Sequence, residues 1–149
     1  MNIEKILQTT SMPKERKAVV SLLYTASVVN EKLNEILKPF DVSLPQFNVL
    51  RILRGQKGSP LNLSDIQNRM IHKMSNTSRL VDKLVAKKLV NRIICENNRR
   101  KVEISITEEG LLLLEKLDPL ITSVEISVTK DVSNDTLETF NDTLEKIRN

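Results

Sequence analysis

Between residues 89 and 107 the chain changes rhythm. On either side its apolar residues recur every three or four positions, but in KVEISIT Val102, Ile104 and Ile106 alternate with Lys101, Glu103, Ser105 and Thr107, a period of two that belongs to a half-buried strand. Residues 89–95 are likewise rich in β-branched side chains. Together 89–95 and 101–107 predict one β-hairpin, with a tip written ENNRR whose asparagines can adopt left-handed backbone geometry without glycine. A lone two-stranded hairpin is marginal in water. It has to be anchored on helices, which restricts the chain to a mainly α fold carrying one small β-hairpin.

The helical stretches announce their own ends. Residues 15–38 place Val19, Val20, Leu23, Ala26, Leu33, Ile36 and Leu37 at helical intervals and stop before Pro39. A second helix over 44–54 opens with Ser43 as N-cap, Gln46 as its capping-box partner and a Val42/Phe47 staple, and the loop GQKGSP closes it. Asn62 caps a short third helix, with Asp65 in its first turn and Leu61/Ile66 as staple. In SNTSRLVDKLVAKKL, Leu80, Val81, Leu84 and Val85 form a stripe to bury, whereas Asn76, Arg79 and Lys83 share another face. Thr107 caps a fifth helix led by Glu108 and Glu109 and continued by Leu111, Leu114, Leu117, Ile121, Val124 and Val128, with Pro119 expected to bend it. Ser133 opens a sixth, carried by Leu137, Phe140, Leu144 and Ile147. About six helices are expected.

At 149 residues with 40% hydrophobic and 28% charged content, one globular domain is the prior. The single cysteine, Cys95, has no internal disulfide partner and is read as an inert strand thiol. The charged N-terminus lacks the apolar run of a signal peptide, and no window reaches membrane-span length. A cytoplasmic setting away from membranes is therefore expected. His72 is the sole histidine, and neither a glycine-rich phosphate loop nor a nucleophile with its base is visible. No metal, cofactor or enzymatic activity is expected. The charge is uneven: residues 61–107 hold ten Lys/Arg against four Asp/Glu, and residues 108–149 hold four against ten. A basic middle suits a polyanionic partner, although an unevenly charged helical surface would read the same way.

Two short helices in close succession followed by a hairpin have the order of a winged helix-turn-helix, whose second helix enters the major groove of DNA. Here the chain resembles the MarR-type winged helix-turn-helix transcription regulators. LPQFNVLRIL is similar to that family's second helix, PLNLSDIQNRM to its first helix-turn-helix element, SNTSRLVDKLVAKKLVNRI to its recognition helix with the strand that follows, and NNRRKVEISITEEG to its wing. Arg100 and Thr107 keep the family spacing. Asn98 replaces the family's usual Asp, which reduces the wing brace to a neutral hydrogen bond to Arg100. Ile71, His72 and Lys73 replace a glycine-bearing turn, so the resemblance starts the recognition helix at Lys73 whereas residue type favours Ser75 as its cap.

The resemblance implies one MarR-like domain over 1–149, with a DNA-binding lobe at about 40–107 and dimerisation helices at about 1–38 and 108–149. Ser75, Asn76, Thr77, Ser78, Arg79 and Lys83 would present the recognition surface, Arg pairing with guanine and Asn with adenine; Ser75 and Ser78 would serve equally well as helix caps. His72, Lys73 and Lys87 suit phosphate contacts, and the lysines are otherwise ordinary solvated side chains. Asn97, Asn98, Arg99 and Arg100 form the wing surface, Arg100 having the alternative role of brace. The terminal helices carry more apolar stripe than one winged lobe covers, which implies a homodimer with two recognition helices one DNA turn apart; folding back onto a monomeric core is the alternative. The expected function is a repressor on a pseudo-palindromic operator in double-stranded DNA, released by a small-molecule or other signal; a small-molecule effector would sit between the dimer region and the lobe, with Tyr24 as the aromatic candidate for its pocket. The other functional reading is a winged-helix module whose basic face docks an acidic protein.

Overall fold

The computed structural model describes residues 1–149, except for the side chain of Arg99. The described residues form seven α-helices and a two-stranded antiparallel sheet. The helices are α1 (Ile3–Ile6), α2 (Lys14–Leu37), α3 (Leu44–Arg54), α4 (Leu63–Arg69), α5 (Thr77–Ala86), α6 (Glu108–Thr129) and α7 (Asn134–Arg148); β1 (Val90–Cys95) and β2 (Asn98–Ile106) lie between α5 and α6. The helix beyond the expected six is α1. It is held by Glu4, whose carboxylate accepts from the Met12 amide at 2.9 Å and the Lys17 ammonium at 3.0 Å; these contacts, the amide first, hold its carboxyl below the usual range.

The caps fall where short-range chemistry puts them. Ser43 and Gln46 exchange side-chain and backbone hydrogen bonds at 3.2 Å in a complete capping box, and both staple residues, Val42 and Phe47, are buried. Asn62, Thr107 and Ser133 each accept an amide from the first turn of α4, α6 and α7. Helix α2 yields to a tight turn over Lys38–Phe40 that contains the proline and ends with Asp41 in the left-handed region. Helix α6 runs unbroken through Pro119.

One core joins these elements. Leu37 at the end of α2, Val49, Leu50 and Leu53 of α3, Ile66 of α4, Val81 and Leu84 of α5, Val90 and Ile104 of the hairpin, and Leu114, Leu117 and Ile121 of α6 pack into one buried cluster. The hairpin gains its anchor from a third short segment: Leu61 and Ile104 exchange backbone hydrogen bonds at 2.9 and 2.8 Å, which supplies the support that two strands alone lack. Arg54, in the last turn of α3, grips Asp118 of α6 with two hydrogen bonds of 2.6 and 3.2 Å. Both side chains are partly exposed, so Asp118→Asn is expected to cost only about 0.5 kcal/mol. Urea midpoints at low and high salt check this, because the difference between variant and parent should vanish as salt screens the pair.

Candidate nucleic-acid interface

Helix α5 buries Val81 and Leu84, with Leu80 half-buried, and turns Asn76, Ser78, Arg79 and Lys83 outward. Its cap is Asn76, whose side-chain oxygen accepts from the Arg79 amide at 3.1 Å. Neither Ser75 nor Lys73 takes that role. Ser75 instead ends a turn in which its amide donates to the His72 carbonyl at 3.1 Å. Because the cap uses only the carboxamide oxygen of Asn76, the amide nitrogen remains available outward.

Thr77 is turned inward. It is only 6% exposed, and its hydroxyl donates to the side-chain oxygen of Gln67 on α4, which corrects its placement among the base-facing residues. The spacing Thr77, Val81, Leu84 is itself a buried helical stripe, a signal that the polar identity of threonine obscured. Lys87 is also engaged: its ammonium donates to the Asp41 carbonyl and to Gln46 Oε1 at 3.3 Å, and lies 3.5 Å from the Asp41 carboxylate. It braces the end of α5 against the start of α3, a role that takes it out of the free phosphate-binding set. Lys83 and Lys87 share a cleft of about 790 Å³ with Glu31, Glu35 and Asp41, which puts Lys83 on the flank of the helix.

The turn before α5 has no glycine and is held by side chains instead. The Ile71 amide donates to Asn48 Oδ1 at 3.0 Å, Gln67 Nε2 donates to the Lys73 carbonyl at 2.5 Å, and the Lys73 ammonium reaches the Asn68 carbonyl. His72, Lys73 and the almost fully exposed Met74 stand out from it. Sequence reasoning passed over Asn48 and Gln67, since each acts across a fold-dependent distance.

The hairpin departs from the expected tip. Pairing runs from Val90↔Ile106 to Ile94↔Val102 and then jumps to Cys95↔Asn98, with a shift of register between Ile94 and Cys95, an irregularity of the bulge kind. Only Glu96 and Asn97 form the turn. Among the described residues the left-handed non-glycine ones are Gln8, Asp41, Lys57 and Lys88, so the tip asparagines reverse the chain without that geometry. Asn98 does accept a hydrogen bond from Arg100, but from its backbone amide, at 3.1 Å, rather than from its guanidinium. Arg100, Lys101 and Asn98 line a cleft of about 430 Å³ opposite Asn62 and Ser64. Arg99 lies in β2, and its expected DNA contact concerns a side chain outside the described residues.

Helix α5 and the wing are tied together by Arg92 of β1, which pairs with Asp82 of α5. This pair neutralises the one acid of α5. Among the described residues the ion pairs involve Lys17, Arg54, Lys87 and Arg92, and Arg79, Lys83 and Arg100 keep their charge without a carboxylate partner. Such a surface is favoured only when an external anion meets it.

Two apolar hollows are set among the helices. One, of about 750 Å³, runs between α2 and α7 and is lined by Val19, Leu22, Val29, Phe140, Leu144 and Ile147. The other, of about 160 Å³, sits where α2, α3 and α6 meet the turn after α4; Leu33, Phe47, Ile71, His72 and Ile121 line it, with Arg51 above the Phe47 ring at 5.7 Å. Tyr24 is exposed on α2, six residues before Asn30 at the rim of this second hollow, and is not one of its walls. Among the described residues no helix is long and apolar enough to cross a membrane.

Residues 42–102 match the model of the MarR family. The chain is 27% identical over 135 residues to an uncharacterized HTH-type transcriptional regulator, YsmB, of Bacillus subtilis, spanning 89% of this chain and 86% of that protein. It is 29% identical over 126 residues to the multiple antibiotic resistance protein MarR of Escherichia coli, spanning 80% of this chain and 85% of that one. The fold is shared with a MarR-like transcription regulator from Bacillus cereus, at a TM-score of 0.80 and 16% identity over 90% of this chain and 95% of that one. It is shared too with a mutant E. coli MarR complexed with operator DNA, at 0.78 and 24% over 93% and 99%.

Proposed function

Because the chain belongs to the MarR family of transcription regulators, we propose that it binds a pseudo-palindromic operator as a cytoplasmic homodimer and represses by occupying the promoter. The observation that supports this most is the outward face of α5 beside the wing: Asn76, Ser78 and Arg79 exposed over a buried apolar stripe, with Arg79 and Arg100 lacking carboxylate partners among the described residues. A helix of this kind enters the major groove by its N-terminal residues while a cationic hairpin follows the backbone or minor groove. Asn76 and Arg79 read base edges, Ser78 adds an adaptable hydroxyl, and Lys73, Lys83, His72 and the wing residues Asn97, Asn98, Arg99 and Arg100 hold phosphate.

The lobe at about 40–107 contacts DNA, and the terminal helices pair across a two-fold axis. Support comes from the groove between α2 and α7, whose Phe140 is half-exposed and whose Leu22 and Ile147 are uncovered in a single chain. An apolar surface of this kind marks an interaction site. A small apolar effector would fit the hollow at Leu33, Phe47 and Ile121, between the paired helices and the lobe, where its binding shifts the separation of the two recognition helices.

Selecting duplexes from a random pool tests the reading. The selected sequence should bind at least ~1000-fold more tightly than a scrambled one. Arg79→Ala should relax preference at one base pair by about 1–3 kcal/mol, while Arg100→Ala, which removes one phosphate-binding cation, should weaken all duplexes alike and reduce the salt slope by about 0.9. Weak, equal binding of both duplexes would favour the acidic-protein docking module instead.

A further inference from the structure

We infer that Gln67 is the positioning residue of the recognition helix, its carboxamide joining the preceding turn to the first residue of α5 so that the base-reading side chains stand in register. The inference rests on the reading that α5 enters the major groove. Its basis is that one planar group makes both contacts: Nε2 donates to the Lys73 carbonyl at 2.5 Å, and Oε1 accepts from the Thr77 hydroxyl. Gln67 belongs to α4, whose Ile66 is wholly buried and whose C-cap, Met70, is 1% exposed. The group is thus mounted on the core, and the chain it grips is the segment the core does not hold.

The turn itself has little else to fix it. Residues 71–74 are exposed, and no glycine is available for a sharp reversal. Asn48 holds the near end through the Ile71 amide at 3.0 Å, and the Lys73 ammonium ties the turn back to α4. Among the described side chains Gln67 alone bonds to both the turn and α5. Thr77 stands one residue after Asn76 and two before Arg79, so a shift of its hydroxyl is passed directly to the two side chains assigned to bases. A carboxamide suits the task because it presents a donor and an acceptor from one rigid plane. Methionine keeps its length but offers neither, which leaves the buried Thr77 hydroxyl without its acceptor.

The test compares Gln67→Met and Thr77→Val with the parent on the selected duplex and on the scrambled one, at fixed salt, together with urea unfolding. Each variant should lower the ratio of specific to non-specific affinity by about 10-fold and leave scrambled-duplex binding within about 2-fold, since phosphate contacts tolerate a small displacement. The double variant should lose no more than Gln67→Met alone, because that substitution already removes the one hydrogen bond that Thr77→Val deletes. A parent that fails to prefer the selected duplex overturns the proposed function and this inference with it. A parent with normal preference and variants whose ratio is unchanged, including variants that merely unfold more easily and lose both duplexes in proportion, overturns the inference alone. Thr77→Val, which deletes only a hydroxyl, carries the comparison should Gln67→Met fail to fold.

Discussion

Gly110→Ala is expected to destabilise the protein by about 2 kcal/mol, toward the upper part of the overpacking range, and to lower Tm by about 4–8 °C for a chain of this length. The reason is local. A Cβ at Gly110 would stand 2.4 Å from the Leu89 carbonyl oxygen and 2.7 Å from Ile106 Cγ1. That carbonyl is backbone and already accepts the Thr107 amide at 3.0 Å, while the Thr107 hydroxyl both donates to the Lys88 carbonyl at 2.8 Å and caps α6 through the Gly110 amide. Neither neighbour can swing aside, so the first turn of α6 must lift from the base of the hairpin. Alanine's better helix propensity, about 1 kcal/mol over glycine, offsets only part of this. Gly55→Ala is the control, since its Cβ would meet two carbonyls at an ordinary 3.4 and 3.5 Å; thermal unfolding of the two variants should diverge, and equal Tm values would refute the account.

The second large effect concerns assembly. Phe140→Asp should convert the proposed dimer to single chains and reduce affinity for the full operator by about 100-fold or more, because two half-sites are then no longer bound as a linked pair. Phe140 is half-exposed in one chain, so the isolated subunit should tolerate aspartate. A carboxylate buried in an apolar interface, by contrast, costs several kcal/mol unless it is paired. Light scattering after size exclusion reads the mass, and titration with full-site and half-site duplexes separates a broken linkage from damage to the DNA-binding face itself. Half-site affinity should be unchanged. A variant that stays dimeric with full operator affinity would show that the groove serves something else.

What could be read in advance follows the range of the interactions. Caps and staples act within four residues, and Ser43, Asn62, Thr107 and Ser133 were legible as starts for that reason. The alternation in β2 was equally local, and it placed Ile104 in the core. The candidate interface was legible as a segment rather than atom by atom. Asn76 displaced Ser75 as cap, and Thr77 turned inward because an acceptor ten residues upstream awaited it. Lys87 met Asp41 and Gln46 across more than forty residues. Asp82 and Arg92 found each other only once the hairpin had packed on α5. Apart from the local cap at Asn76 and the helical spacing that Thr77 shares with Val81 and Leu84, these pairings leave no mark at helical or strand spacing.

The shift of register between Ile94 and Cys95 separates how the ribbon is fastened from how far it extends. Five rungs from Val90↔Ile106 to Ile94↔Val102, with the Leu61 bridge, hold it down, and none depends on what lies beyond. Shortening or lengthening the turn at Glu96 and Asn97 should therefore alter reach along a duplex while leaving the molecule's melting behaviour intact, so the contact footprint can be retuned there without renegotiating the core.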